Sequence, residues 1–271
     1  MRTLKKSLAL VLALVMVLGL GVVGASADDV YDSFTDTDEV GAAYVEAVGV
    51  LTGLGVVEGM SDTTPVISPQ STYTRAQAAK IIAVLLLGND GAEALKCVEA
   101  PFDDVQPNQW FAGYVAYCAE KGIIDGMTAT TFEPDGTLTG YQWAKMLLAA
   151  VGFGKNGEFV GGTWSLNTAT VGTQSGLFTG DLDAADHTPI RREQAMLFAF
   201  NALTKLRQVT YSANSNNYVY GIKGYFFADN TGLTLGQSTF NLNSVEGVIV
   251  DNEGMGASAT DIAVYNRKAW Q

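Results

Sequence analysis

The chain has 271 residues, and its 16 Lys and Arg against 28 Asp and Glu give a net charge of −12 at neutral pH. An acidic surface repels nucleic acid and anionic lipid, so we expect neither as a partner. One His and two Cys supply too few ligands for the usual zinc sites or for a His-based catalytic triad. We therefore expect no metal and no other cofactor.

The first 27 residues have the pattern of a secretory signal peptide. Three basic residues precede an apolar run at residues 8–23, and residues 25–27 form an A-x-A cleavage site. We predict cleavage near Asp28, export, and no membrane insertion of the mature chain. Its net charge becomes −15, because cleavage removes three basic residues and no acidic one. The alternative is an uncleaved anchor, but the apolar run is shorter than the roughly 20 residues that cross a bilayer.

One pattern recurs three times, at a spacing of about 60 residues. Each copy contains a Gly-bounded turn, namely G-V-V-E-G-M at residues 55–60, G-I-I-D-G-M at 122–127 and G-L-F-T-G at 176–180. The motif F-T-D-T-D begins the first copy at Phe34, and F-D-D-V begins the second at Phe102. Internal repetition of this kind predicts one structural unit per copy.

Each copy is predicted to contain two helices. Apolar residues follow the helical period before each Gly-bounded turn and again after a polar turn. The residue twelve positions before the first Gly of the turn is Ala43, Trp110 or Trp164. One helix pair cannot bury its apolar face alone, so we expect the three copies to pack around a common axis as a mainly α unit.

The second helix of each copy has a recognisable start. In a T-x-x-Q capping box the hydroxyl accepts from the backbone of the third helical residue, and the Gln side chain reaches back. Pro at the first helical position gives a different start signal. The predicted starts are Thr74 with Gln77, Thr139 with Gln142, and Thr188 followed by Pro189.

The ordered motifs resemble the S-layer homology family. The resemblance rests on F-x-D-V, G-I-I-D-G, the turn before the second helix and T-R-A-Q, and it covers about residues 34–204. It implies a pseudo-threefold helical bundle of three repeats that binds secondary cell-wall polysaccharide, often through a pyruvylated sugar. The predicted parts are a signal peptide at 1–27, repeats at 28–90, 91–155 and 156–206 (the last divergent), and a small β-rich C-terminal module at 207–271.

The resemblance also implies ligand-binding residues. The family's Thr-Arg-Ala-Glu-like motif is matched at Thr74, Arg75 and Gln77 in the first copy, and at Arg191 and Glu193 in the third. Ile190 stands where the family has Thr. Gly140 takes the Arg position in the second copy, so we expect the groove of that copy to be weak or empty.

Elementary chemistry supports an anionic sugar as the ligand. An Arg in the first turn of a helix lies beside free N–H groups and the positive end of the helix dipole, and both favour a carboxylate. Asp36 and Asp104 are candidates to accept sugar hydroxyls, and Trp110 and Trp164 are candidates to stack on a ring. The alternative is structural, with the two Asp capping the first helix of their repeat and the two Trp in the core.

His187, Cys97 and Cys118 are not assigned to catalysis. His187 precedes Thr188 at a helix start and is interpreted as a loop residue. The two exported Cys allow a disulfide, but Cys118 lies on an apolar helix stripe, where a free thiol acts as a small hydrophobe.

Asp36, Asp38 and Gly41 resemble the opening of a calcium loop. Ala47 occupies the position of the bidentate Glu, so a capping or solvated acidic turn is the better interpretation. We also find no carboxylate pair with the spacing for glycoside hydrolysis.

After residue 207 the helical period gives way to alternating apolar and polar residues. The predicted strands include V-T-Y-S, Y-V-Y-G-I-K-G-Y-F-F and S-T-F-N-L-N-S-V-E-G-V-I-V. Asn-rich turns separate these strands. We predict a small β-rich module, which is a candidate surface for self-assembly or for a protein partner.

The sequence thus predicts a secreted, non-enzymatic protein of the bacterial cell wall that is held by its polysaccharide. The alternative is a wall-tethered carbohydrate-active enzyme, or a subunit of one.

Overall fold

The structure is a computed structural model that describes residues 27–60, 64–228, 232–242, 244–245 and 269–270. The predicted signal sequence, apart from Ala27, lies outside the described residues. The described chain is mainly helical, as predicted, and none of its helices is both long and apolar enough to cross a membrane. Its eight α-helices are α1 (Ala27–Asp32), α2 (Val45–Gly53), α3 (Arg75–Glu93), α4 (Ala112–Glu120), α5 (Gly140–Ala150), α6 (Trp164–Ser175), α7 (Arg192–Thr204) and α8 (Leu235–Phe240).

The two helices of each copy pack mainly across copies. Helix α4 lies on α3, α6 lies on α5, and α2 lies on α7. The second helices α3, α5 and α7 also touch through the α3–α5 and α5–α7 contacts. The first copy therefore packs directly against the third, and one hydrophobic core runs through all three copies.

Capping boxes start α3 and α5 as predicted. The Thr74 amide donates to Gln77 Oε1 at 3.0 Å, and the Gln77 amide donates to Thr74 Oγ1 at 3.2 Å. Thr139 and Gln142 repeat the arrangement at 2.9 and 3.3 Å. Each box satisfies two backbone groups that the first helical turn leaves without partners.

The third start differs from the prediction at Thr188 and Pro189. Helix α7 begins at Arg192, and the Arg191 amide donates to Gln194 Oε1 at 3.1 Å. Arg191 therefore occupies the position of Thr74. Pro189 instead lies in the preceding turn, where it forms an isolated β-bridge with Thr139.

The first two N–H groups of each second helix donate to the turn of another copy. Arg75 N–H reaches Gly136 O, Gly140 N–H reaches Thr188 O, and Arg192 N–H reaches Ser71 O, at 2.7–3.2 Å. Copy one is thus joined to copy two, two to three, and three to one. The helix starts are held by neighbouring copies rather than by solvent.

Both Cys are free thiols, so the structure contains no Cys97–Cys118 disulfide. Cys118 is buried on α4, and that burial raises the pKa of its thiol to about 12. Cys97 is half-buried. The structure favours the interpretation of Cys118 as a small hydrophobe.

The described residues of the C-terminal region include short strands, but most of them are not in strands. Strands β1 (Val209–Tyr211) and β4 (Tyr225–Phe227) pair antiparallel, as do β2 (Tyr218–Val219) with β3 (Ile222–Lys223), and β5 (Ser244–Val245) with β6 (Ala269–Trp270). The β1–β4 sheet is linked to the end of α5, because the Val209 amide donates at 2.9 Å to the carbonyl oxygen of Val151, the residue that follows the helix.

One predicted strand is wrong over its first residues, although Ser244 and Val245 further along it are in β5. The stretch S-T-F-N-L-N was assigned to β structure, but its first residues belong to helix α8. The helix begins at a further T-x-x-Q capping box, in which the Thr234 amide donates to Gln237 Oε1 at 3.1 Å. Local capping therefore overrides the alternating pattern that follows it.

Gly152 tests the junction between α5 and β1. Its φ is +112°, and a Cβ there would overlap the carbonyl oxygen of Val209. We expect Gly152→Ala to lower the free energy of unfolding by about 2 kcal/mol or more, because backbone strain and a backbone clash add. Gly162→Ala is the control, since a Cβ at Gly162 meets nothing within 4 Å. Equal urea midpoints for the two variants would contradict the described junction.

Candidate functional site

Two grooves lie between neighbouring copies and share one set of residue types. We define the first groove by its lining residues Val56, Val57, Glu58, Gly59, Met60, Tyr73, Gln77, Lys80, Ile81, Trp110 and Arg192. The second groove is lined by Ile123, Ile124, Asp125, Gly126, Met127, Gln142, Lys145, Met146, Trp164, Arg75 and residues 159–161. Their cavity volumes are about 250 and 310 Å³.

The Gly-bounded turns of the first and second copies each supply one acidic residue to a groove. In the first groove Lys80 Nζ lies 2.7 Å from Glu58 Oε2. In the second groove Lys145 Nζ lies 2.7 Å from Asp125 Oδ2. Both Lys stand three residues after the Gln of a capping box, so the helix start fixes where the ion pair forms.

Arg75 reaches from the first copy into the second groove. Its Nε donates to Phe132 O at 2.6 Å, and its Nη2 donates to Asp125 O at 2.8 Å. The guanidinium also lies 4.5 Å from the centroid of the Phe132 ring. Burial lowers the pKa of Arg75, while Glu133 raises it, but a guanidinium remains charged at neutral pH.

Arg192 repeats this arrangement in the first groove. Its Nε donates to Ile67 O at 2.7 Å, its Nη2 donates to Glu58 O at 3.4 Å, and its guanidinium lies 4.2 Å from the Tyr73 ring centroid. Burial lowers its pKa as well. Arg75 and Arg192 are 7% and 2% exposed, so each groove is built over a buried cation.

Sequence reasoning missed Arg192 because it aligned Arg191 with Arg75. The capping Gln gives the correct register, since Gln194 follows Arg192 by two residues just as Gln77 follows Arg75. Arg191 is partly exposed and lies outside the lining of both grooves, with Nη2 3.4 Å from Glu193 Oε1.

The carboxylate of Glu193 is buried and already accepts hydrogen bonds from other residues of the chain. It accepts the Gly41 amide at 2.9 Å and the Gln70 side-chain amide at 3.0 Å. Its carboxylate therefore joins the third copy to the first. Thr74 has its hydroxyl in the capping box and likewise does not line either groove.

Asp36 and Asp104 hold backbone turns. Asp36 accepts the amides of Ile67 and Ser68 at 2.8 and 2.7 Å. Asp104 accepts those of Phe132 and Glu133 at the same two distances.

The alternative role of Asp36 as a cap of the first helix is wrong, because its side chain caps no helix. These carboxylates instead stabilise turns in which Ser68 and Glu133 have φ of 54° and 59°. Within the described ranges, no three Asp, Glu, His or Cys are grouped to hold a metal ion.

The two Trp lie at the grooves rather than in the core. Trp110 is 59% exposed, and Trp164 is half-buried. Lys145 Nζ lies 5.9 Å from the Trp164 ring centroid, and the exposed His187 packs edge-on against the same ring. Both rings therefore present apolar area in a groove whose lining includes a Lys.

The corresponding place at the turn of the third copy lacks this composition. The positions of the Arg, Lys, acidic residue and Trp are taken by Gly140, Leu197, Thr179 and Ala43. A Cβ on Gly140 would overlap the carbonyl oxygen of Ala184, so the close approach of the second copy to the third requires Gly there.

Gly140 does not line the groove of the second copy, which receives Arg75 from the first copy. The residue that departs from the motif faces the third copy instead. The weak binding expected of the groove of the second copy stays a prediction.

Comparison with known proteins agrees with this pattern. The S-layer homology domain profile matches residues 33–79 and 101–142, which carry the first two copies. A cell surface protein of Thermoanaerobacter kivui is 31% identical over 153 residues, 56% of this chain and 19% of the relative. A cellulosome-anchoring protein of Acetivibrio thermocellus is 36% identical over 76 residues, 28% of this chain and 17% of the relative.

An endo-1,4-beta-xylanase A of Thermoanaerobacterium saccharolyticum is also similar, at 31% identity over 117 residues, 41% of this chain and 10% of the relative. The chain thus spans less than a fifth of the length of each of these relatives. The two matched segments are thus recognised as S-layer homology domains.

Replacement of Asp104 tests whether its carboxylate stabilises the turn beside the second groove. Asp104→Ala leaves two turn amides without their charged acceptor, and we expect the free energy of unfolding to fall by about 2–3 kcal/mol. The neighbouring exposed Asp103→Ala should change it by less than about 0.5 kcal/mol. Chemical denaturation of both variants checks this, and equal stabilities would show that the carboxylate does not support the turn.

Proposed function

We propose that the chain anchors a surface protein non-covalently to the bacterial cell wall by binding an anionic polysaccharide in the first and second grooves. The observation that carries the proposal is the repeated set of one buried Arg, one Lys, one carboxylate and one Trp. Two cations against one anion give each groove a local excess of positive charge. In a chain with a net charge of −12, such a local excess selects for an anionic ligand.

The recognised domains agree with this role, because S-layer homology domains anchor surface proteins to cell walls. The chain is a secreted protein of the cell surface, like the relatives named for the cell surface and for anchoring. A wall ligand also suits the acidic composition, since binding depends on the grooves rather than on the overall field.

The chemistry of each groove fits a sugar-borne carboxylate. A pyruvylated or otherwise carboxylated sugar would meet the Lys that now pairs with Glu58 or Asp125. The capping Gln uses its Oε1 for the helix start, and its side-chain amide is a donor for sugar oxygens. In Gln77 this amide also contacts Met60 Sδ at 3.9 Å. The exposed face of Trp110 or Trp164 suits the apolar face of a pyranose ring.

In this proposal Arg75 and Arg192 lie beneath the ligand and contribute mainly their positive charge. Their Nε and Nη2 groups are committed to backbone carbonyls, so the rigid guanidinium supplies positive charge and one remaining edge. Thr74, Gln77, Asp36, Asp104, Arg191 and Glu193 remain predicted ligand contacts. Of these, the groove lining supports Gln77.

We further propose that the three copies are related by a pseudo-threefold axis. The proposal is supported by the amide bonds that run from copy one to two, from two to three and from three to one. Helices α2, α4 and α6 each pack on the second helix of the preceding copy in that order. The predicted boundaries at 28–90, 91–155, 156–206 and 207–271 are retained as part of this proposal.

A wall-tethered carbohydrate-active enzyme, or a subunit of one, is the second candidate. The similarity to the xylanase favours it, although the match covers 10% of that relative. In either case the grooves serve attachment. A protein partner of the C-terminal module stays a prediction.

Replacement of the groove lysines tests the anchoring proposal. We expect Lys80→Met and Lys145→Met each to weaken binding to purified, protein-free walls by about tenfold, because each removes a charge-assisted contact. The double variant should bind least, and binding should weaken with added salt. Sedimentation with walls measures all three.

Lys121→Met is the matched control, because Lys121 is 52% exposed and lines neither groove. It should bind like the unmodified chain. Wild-type binding by the double variant, or equal binding to walls stripped of their polysaccharide, would contradict the proposal.

A further inference from the structure

The second groove has a wall that the first does not share. Phe159, Val160 and Gly161 line it beside Trp164, and Val160 is 62% exposed. In the described lining of the first groove, Trp110 is the contribution from the corresponding side. The extra wall is part of residues 154–161, which we call the groove loop.

Glu158 organises the groove loop. Its Oε1 accepts the Gly154 amide at 2.8 Å, and its Oε2 accepts the Asn156 amide at 3.0 Å. Its backbone carbonyl accepts the Asn167 side-chain amide of α6 at 2.7 Å. One carboxylate therefore closes the loop immediately before Phe159.

Tyr225 of strand β4 holds this carboxylate from outside the loop. Its hydroxyl donates to Glu158 Oε1 at 2.5 Å and accepts the Lys155 amide at 2.9 Å. The Tyr225 side chain is fully buried, and its ring lies 5.0 Å from that of Phe153. Burial, and then the bond to Glu158, raises the pKa of Tyr225, so the hydroxyl remains a donor at physiological pH.

A second tyrosine of the same sheet adds to the contact. Tyr211 of β1, which pairs directly with Tyr225 across the sheet, donates its hydroxyl to Asn156 Oδ1 at 2.7 Å. The β1–β4 sheet thus contacts the groove loop through two hydroxyls. No residue of this sheet lines the first groove, as far as the described chain extends.

We propose that the β1–β4 sheet is a buttress that positions the groove loop and thereby shapes the second groove, and that Tyr225 is its main positioning residue. The proposal rests on the proposed function of the grooves and deepens it. The C-terminal region is then part of the binding unit itself, and the two grooves differ in how they are supported. Ligands that need the apolar wall at Val160 bind the second groove only while the sheet is in place.

Tyr225→Phe tests the proposal because it removes both hydroxyl bonds and keeps the ring. It is made in two parents: Lys80→Met, in which binding reports mainly the second groove, and Lys145→Met, in which it reports mainly the first. We expect a loss of wall affinity of about threefold to tenfold in the first parent and no change in the second. A general loss of stability would weaken both parents equally.

Hydrogen exchange without any ligand gives the second readout. We expect Tyr225→Phe to speed exchange of the amides of residues 154–156, and the exposed Tyr218→Phe to leave it unchanged. Unchanged exchange in Tyr225→Phe overturns the proposal, as does faster exchange with unaltered affinity in the Lys80→Met parent. If neither parent binds walls, the function proposed for the grooves fails, while the exchange measurement still decides whether the sheet holds the loop.

Discussion

The architecture depends on a buried Arg at the first position of a capped helix. The side chain of this Arg donates to backbone carbonyls of the next copy. Burying a guanidinium costs several kcal/mol unless its donors are satisfied. Arg75 and Arg192 each meet this cost with two carbonyl acceptors and an aromatic face. The same contact joins two copies and puts a fixed cation under a groove, so folding and ligand recognition depend on one interaction.

The interface between the second and third copies has Gly140 in place of this Arg. Gly140 lets the third copy approach so closely that even a methyl group would overlap its backbone. The two copies are joined there by backbone bonds, since the Gly140 and Tyr141 amides donate to the carbonyls of Thr188 and Asp186. The interface between the second and third copies therefore only holds the copies together. The two interfaces with a buried Arg hold the copies together and also form a groove.

The sequence predicted the helices better than the contacts between the copies. The T-x-x-Q boxes at Thr74 and Thr139 located two helix starts, because capping is decided within four residues. The same rule would have found α8 at Thr234, and Gln194 would have identified Arg192. The sequence could not predict that each Arg serves the next copy, nor that Asp104 binds a turn, since both depend on contacts between distant segments.

The central claim is that two cationic grooves bind carboxylates of a wall polysaccharide. Calorimetric titration of the chain with polymer released from walls tests it most directly, using native polymer and polymer whose carboxylates are neutralised by amidation. The account predicts two binding sites per chain for the native polymer and a loss of binding of at least about tenfold after amidation. Equal affinity for the two polymers would contradict it.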